Sequence, residues 1–191
     1  MTPGRRAVLG SLLAALAALP AGAEEPWPVR FGGPFTLVDH KGHPRGDSDF
    51  RGSWLLIQFG YTYCPDQCPL GLSTMAEAMD ALGAEAARVQ PLFVTIDPGR
   101  DTPPVLARFV PQFHPHLIGL TGDERSIAAV AKAYRVHRHK VLADPAAPEH
   151  YLIDHGSFTY LVGPDGHFVT LFPYGTAPAT MAVRIAGYLG A

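Results

Sequence analysis

The stretch Tyr61-Thr62-Tyr63-Cys64-Pro65-Asp66-Gln67-Cys68-Pro69 holds both cysteines of the chain. Two cysteines four positions apart that share the first turn of a helix lie on one side of it, with Cβ atoms about 5–6 Å apart. Both sulfurs can then reach one small ion, and with slight adjustment they can close a disulfide. The N-terminal end of a helix carries partial positive charge, which favours the thiolate that binds metal or attacks a disulfide. Asp66, between the two, disfavours a bare double thiolate and tilts the pair toward a site with a cation in it. Soft sulfur selects Cu(I) or Zn(II), and two sulfurs leave either ion open to a third ligand. The competing reading is an inert structural disulfide. So short a loop constrains the unfolded chain little, which weakens a purely stabilising role.

Nine histidines are available as the third ligand. His114 and His116, and His137 and His139, stand beside proline or basic residues on segments that read as surface loops. His155 differs, because Asp154-His155-Gly156 runs directly into an apolar strand that starts near Phe158. If that strand lies antiparallel to and beside Trp54 to Phe59, its beginning meets the other's end, and His155 sits over Cys64 and Cys68.

The elements that would hold these residues follow from hydrophobic spacing. Phe35 to Val38 with a Lys41-Gly42 turn predicts a small hairpin, and Trp54 to Phe59 predicts a buried strand ending at Gly60. Leu72, Met75, Met79 and Leu82 recur at helical spacing, and Leu92 to Ile96 is a second buried strand. Thr102-Pro103 caps and opens a helix toward Phe109, where Pro111 ends or kinks it. Leu117 to Leu120 fits a third strand, and Ile127, Val130, Ala131 and Tyr134 mark another helix. Phe158 to Val162 and Phe168 to Phe172 form a hairpin about Pro164-Asp165-Gly166, and a last helix from Pro178 turns Met181, Ile185 and Leu189 inward. Strand, helix, strand followed by a hairpin and a helix predicts an α/β thioredoxin-like fold: a mixed central β-sheet flanked by helices, with an N-terminal β-hairpin extension. The cysteines then lie at the carboxyl end of a strand, where such sheets place their chemistry.

With 191 residues, 47% hydrophobic and 17% charged, the chain is too apolar for disorder and has the length of one domain. Arg5-Arg6, the apolar stretch from Ala7 to Leu19 and Ala21-Gly22-Ala23 supply the basic, apolar and small-residue regions of a secretory signal over residues 1–23. The apolar run of about 13 residues spans roughly 20 Å as a helix, short of the roughly 30 Å hydrocarbon core. An uncleaved anchor on the outer face of the inner membrane is the alternative to cleavage and periplasmic release. Arg5-Arg6-Ala7-Val8-Leu9 also fits a twin-arginine export signal. Residues 24–33 read as a tether and 34–191 as the domain. Without Arg5 and Arg6 the chain carries 13 basic against 17 acidic residues. That balance gives no footprint for nucleic acid.

Three blocks in order, Phe59 to Pro69, Thr95-Ile96-Asp97-Pro98-Gly99-Arg100-Asp101-Thr102-Pro103, and Tyr151 to Tyr160, resemble the Sco/SenC family of copper-binding, thioredoxin-like proteins. The resemblance implies that Cys64, Cys68 and His155 bind copper as Cu(I) or Cu(II). It places Asp97 near the site, in a segment for partner contact or metal exchange; by composition alone Asp97-Pro98 is a strand-end turn. It further implies a metallochaperone for the dinuclear copper centre of cytochrome c oxidase. The partners would be the copper-centre subunit of the oxidase and another periplasmic copper chaperone, with the protein acting as a monomer. Gly156 departs from the family, where serine is common.

Two other functions use the same residues. A thiol-disulfide oxidoreductase would attack with one cysteine and resolve with the other, reducing the recipient's copper-ligand cysteines. The three-residue spacer, in place of two, and Phe158 at the position of the usual cis-proline argue against general oxidoreductase work. A copper or redox sensor is indistinguishable by sequence from a delivery protein. A peroxidase of peroxiredoxin type needs Thr or Ser three residues before the cysteine, where Tyr61 stands.

Overall fold

Trp54–Gly60 (β3) is a continuous apolar run apart from Gln58, and it lies at the centre of a seven-stranded sheet, buried along almost its whole length. The computed structural model describes residues 31–142, 147 and 150–190. The expected leader and most of the expected tether lie outside the described residues. Around β3 the other strands are β1 (Thr36–Asp39), β2 (Pro44–Gly46), β4 (Val89–Thr95), β5 (Ile118–Thr121), β8 (Phe158–Val162) and β9 (Phe168–Pro173), in the spatial order β2-β1-β5-β4-β3-β8-β9. A separate two-stranded ribbon pairs β6 (Arg138–Leu142) with β7 (Tyr151–His155).

Strands β3, β4 and β5 run parallel, as their connection through α1 (Gln67–Leu82) and α2 (Pro103–Phe109) requires. Strand β8 returns antiparallel beside β3, pairing Gln58 with Thr159 and Leu55 with Val162. The start of β8 therefore faces the end of β3, the arrangement on which the placement of His155 depended. The hairpin β1–β2 joins the sheet at its edge through β5.

Alternation along β3 divides the core in two. Leu55, Ile57 and Phe59 face α3 (Glu124–Ala133) with Ile127, Val130 and Tyr134. Leu56 faces α1 and α4 (Pro178–Leu189) with Leu72, Met75, Met79 and Ile185. Gln58 shares the face of Leu56, which puts its amide beneath the start of α1.

Two local expectations are corrected. Helix α1 begins at Gln67, so Cys64 lies in the turn before it, with its N–H donating to the Tyr61 carbonyl (3.1 Å). Pro65 explains the shift, because a residue preceding proline is driven out of the helical region. Pro69 falls in the first turn of α1, where a missing N–H breaks no helical bond. His139, expected on a surface loop, lies in β6 with His137 just before it, and the residues before Gly156 form β7.

Candidate metal centre

Cys68 is 1% exposed at the start of α1, while Cys64 is half-buried in the preceding turn. Cys64 Sγ accepts the N–H of Cys68 at 3.4 Å, satisfying one of the helix's unpaired amides. Cys68 is pinned from the other side. Its carbonyl accepts Gln58 Nε2 at 3.1 Å, and Gly60 lies so close that a Cβ there would stand 2.7 Å from Cys68 Sγ. A side chain at Gly71 would collide in the same way with the Gln58 amide, at 2.7 Å from Nε2. Two glycines thus let backbone pack directly on the groups that fix the buried sulfur.

The two thiols are not equivalent. The S–H of Cys68 donates to Cys64 and, with the backbone N–H groups of Asp66 and Cys68, brings the Cys64 thiol down to about 5. The same bond and burial drive the Cys68 thiol upward. The expectation of two acidified thiols is therefore met at Cys64 alone: the shared sulfur–sulfur hydrogen bond favours the thiolate of its acceptor and the thiol of its donor, and burial adds to the second effect.

His155, the last residue of β7, is brought to the sulfurs. Its Nδ1 lies 3.0 Å from the Ile153 carbonyl, an acceptor only, so Nδ1 carries a proton and Nε2 is the nitrogen left to face the sulfurs, with a free lone pair in the neutral ring. Nε2 stands 3.5 Å from Cys68 Sγ. An ion bonded at about 2.3 Å to sulfur and about 2.0–2.1 Å to nitrogen would subtend roughly 105–110° between those atoms, and widening by about 0.3 Å gives the 120° of a trigonal site. Two sulfurs and one imidazole suit copper chemically. The donors are neighbours and not a finished cage: among the described residues no three His, Cys, Asp or Glu side chains are already set to hold a metal ion.

Asp97 is 1% exposed, its carboxylate accepting Tyr151 Oη at 2.7 Å and the Arg100 guanidinium. A partner could meet it only through those side chains. Arg100 Nη1 also donates to the Tyr151 carbonyl at 3.1 Å, and its guanidinium lies 3.6 Å from the centroid of Tyr151 and 4.7 Å from that of Tyr63. Asp101, fully buried, accepts Thr62 N (3.0 Å), Thr62 Oγ1 (2.5 Å) and Thr95 Oγ1 (2.6 Å); burial holds its carboxyl above the usual range. Asp97 and Asp101 therefore bind the end of β4 to the cysteine turn and to β7.

Comparison with known proteins places this arrangement. The sequence model of the SCO1/SenC family matches residues 23–190. The chain belongs to the SCO1/SenC family. Within it, the chain is 42% identical over 160 residues to the mitochondrial protein SCO1 homolog of Mus musculus and 41% identical to that of Homo sapiens. Each match covers 83% of this chain but 56% and 52% of those proteins, so the chain spans about half their length. Among solved structures, Bradyrhizobium japonicum ScoI with copper bound is 40% identical, with a TM-score of 0.75 over 83% of this chain and 99% of that one. Yeast Sco1 with copper bound is 34% identical, with a TM-score of 0.77 over 85% and 90%. These neighbours are Sco structures of the same mixed α/β architecture, as the strand order anticipated.

Sequence reasoning about this SCO1/SenC domain did not assign roles to Gln58, Gly60, Tyr61, Arg100 or Tyr151. Gln58, a polar residue inside an otherwise apolar strand, carried the one readable signal. The remaining four act through contacts between distant segments that spacing does not reveal.

Proposed function

We propose that this chain is a copper metallochaperone for the assembly of cytochrome c oxidase, carrying copper to the oxidase's dinuclear copper centre. Cys64, Cys68 and His155 are the ligands in this reading, and the observation that carries it is the 3.5 Å approach of His155 Nε2 to Cys68 Sγ. The copper-bound Sco structures in the same family support copper as the cargo. Cu(I) is the form two sulfurs favour, and the imidazole extends the site to Cu(II). A three-ligand, partly exposed ion can pass to a recipient's ligands one bond at a time. The reading keeps the site in the periplasm, on a released or membrane-tethered monomer, with the oxidase copper-centre subunit as recipient and another periplasmic copper chaperone as donor.

Copper(I) stoichiometry and affinity, measured on the reduced protein beside Cys64→Ser, Cys68→Ser and His155→Ala, test it. One ion per chain is expected for the parent, with a large loss in both cysteine variants and a smaller loss in His155→Ala. Unchanged one-to-one binding in all three would remove the mechanism.

The unequal thiols favour a second activity at the same site. Cys64, half-buried and acidified, has the character of an attacking thiolate, and buried Cys68 that of a resolving thiol. Attack by Cys64 on a recipient disulfide forms a mixed disulfide and releases one recipient thiolate. Cys68, losing its proton to that thiolate, then displaces the other sulfur, leaving Cys64–Cys68 oxidised and the recipient reduced by two electrons. Cys68→Ser, which cannot resolve, should accumulate the mixed disulfide with a recipient, visible by mass spectrometry.

A further inference from the structure

Among the described residues strand β7 pairs with β6 alone, so no strand of the main sheet receives its inward-facing peptide groups. Ile153, opposite Lys140, is its one buried residue. The Ile153 N–H donates to Tyr61 Oη at 3.1 Å, and its carbonyl accepts His155 Nδ1–H at 3.0 Å. Both groups of Ile153 therefore point away from β6 into the body, and a phenolic oxygen occupies the place of a neighbouring strand's carbonyl. Tyr61 can serve because it is rigid: it follows β3 directly, is 2% exposed, and sets its ring edge against the His155 ring with centroids 5.7 Å apart. Whatever fixes the rotation of Ile153 about the strand axis also fixes the direction of the carbonyl that holds Nδ1–H.

We propose that Tyr61 is a positioning residue for His155: its hydroxyl, acting through the N–H and carbonyl of Ile153, holds the imidazole with Nδ1–H on that carbonyl and Nε2 facing Cys68. Its consequence for copper rests on the reading of His155 as a ligand; its consequence for the tautomer does not. Without the hydroxyl, the buried Ile153 N–H loses its acceptor and the strand is free to rotate outward. Tyr61→Phe is the clean perturbation, because it keeps the ring and its edge contact and removes one oxygen.

The test uses the reduced, copper-free protein, with long-range proton–nitrogen correlation spectra of the His155 ring and amide exchange at Ile153. The parent should show the Nδ1–H tautomer and a protected Ile153 amide. Tyr61→Phe should give a mixture of tautomers and at least about tenfold faster Ile153 exchange, and should weaken Cu(II) binding about tenfold, the usual scale for loss of a group that orients a ligand. Cu(I), held mainly by the two sulfurs, should change less. Tyr151→Phe removes the hydroxyl at the strand's other anchor and should leave the tautomer as in the parent. An unchanged tautomer and unchanged Ile153 protection in Tyr61→Phe overturn the proposal, and so does equal mixing in Tyr151→Phe. If Tyr61→Phe does not fold, exchange in the parent decides: an unprotected Ile153 amide overturns the proposal and a protected one supports it. His155→Ala binding copper as the parent does would refute the ligand reading while leaving the tautomer result standing.

Discussion

Replacing Gly60 by alanine tests whether the close approach of backbone to Cys68 is what fixes the sulfur. The added Cβ would lie 2.7 Å from Cys68 Sγ, 2.9 Å from Phe93 Cε2 and 3.3 Å from Cys68 Cβ. A comfortable carbon contact is about 3.5–4.0 Å, so the sulfur is short of room by about 1 Å. Phe93, on the neighbouring strand β4, is fully buried and cannot yield freely. Either the structure carries the strain, at about 1–3 kcal/mol for overpacking, or Cys68 moves by nearly half the length of a metal–sulfur bond. For a domain of this size that strain lowers the melting temperature by about 2–12 °C. The sulfur displacement should weaken Cu(I) binding at least about tenfold. Thermal melts of the reduced protein and a competition titration with a chromophoric Cu(I) chelator read the two effects. A Gly60→Ala protein that melts and binds copper as the parent does would refute the claim that this contact positions the sulfur.

The unequal thiols predict unequal reactivity in the reduced, copper-free protein. Cys64, with its thiol lowered to about 5, should alkylate rapidly with iodoacetamide at pH 7 and lose that reactivity only as the pH falls through about 5, while Cys68 stays unmodified; peptide mass spectrometry assigns the label. At the hairpin, burial would raise the Asp39 carboxyl, but the His43 and Lys41 N–H groups and Arg45 outweigh it and hold the group below 3.8. A depressed carboxyl adds stability above its unfolded value and gives it up as the pH falls through its folded value. Asp39→Asn should therefore cost about 1–3 kcal/mol at pH 7 in urea denaturation, and the difference from the parent should shrink below pH 3.8.

The parts of the fold that bury continuous apolar surface were readable along the chain, because burial on two faces leaves few polar residues in a run. Strands β3, β4 and β8 and the inward faces of α1, α3 and α4 are of this kind. Strands β6 and β7 were not readable: Arg-His-Lys-Val-Leu offers no buried face, and in β7 only Ile153 is buried. The ladder between the two strands, with anchoring by Tyr61 and Asp97, makes them strands, and none of this is local in sequence. At the candidate site, Cys64, Cys68 and His155 were legible as candidates because few residue types offer thiol or imidazole chemistry. Tyr61 and Arg100 escaped assignment because their roles depend on a hydroxyl and a guanidinium reaching β7 across the fold. Asp97 was read as a residue for contact, and its burial could not be read from an aspartate beside a proline.

The three candidate donors do not share one mechanical foundation. Cys68 stands on the helix that covers the main sheet, so its place is lost only when that core melts. His155 stands on a ribbon outside the sheet, fastened by the one buried side chain of Ile153 and by a few hydrogen bonds through Ile153 and Tyr151, each of which contributes about 1 kcal/mol. Opening of such a segment costs far less than global unfolding. Urea too dilute to unfold the domain should therefore loosen the imidazole while the sulfurs remain in register, and ligand-resolved spectroscopy would record two separate transitions within a single polypeptide.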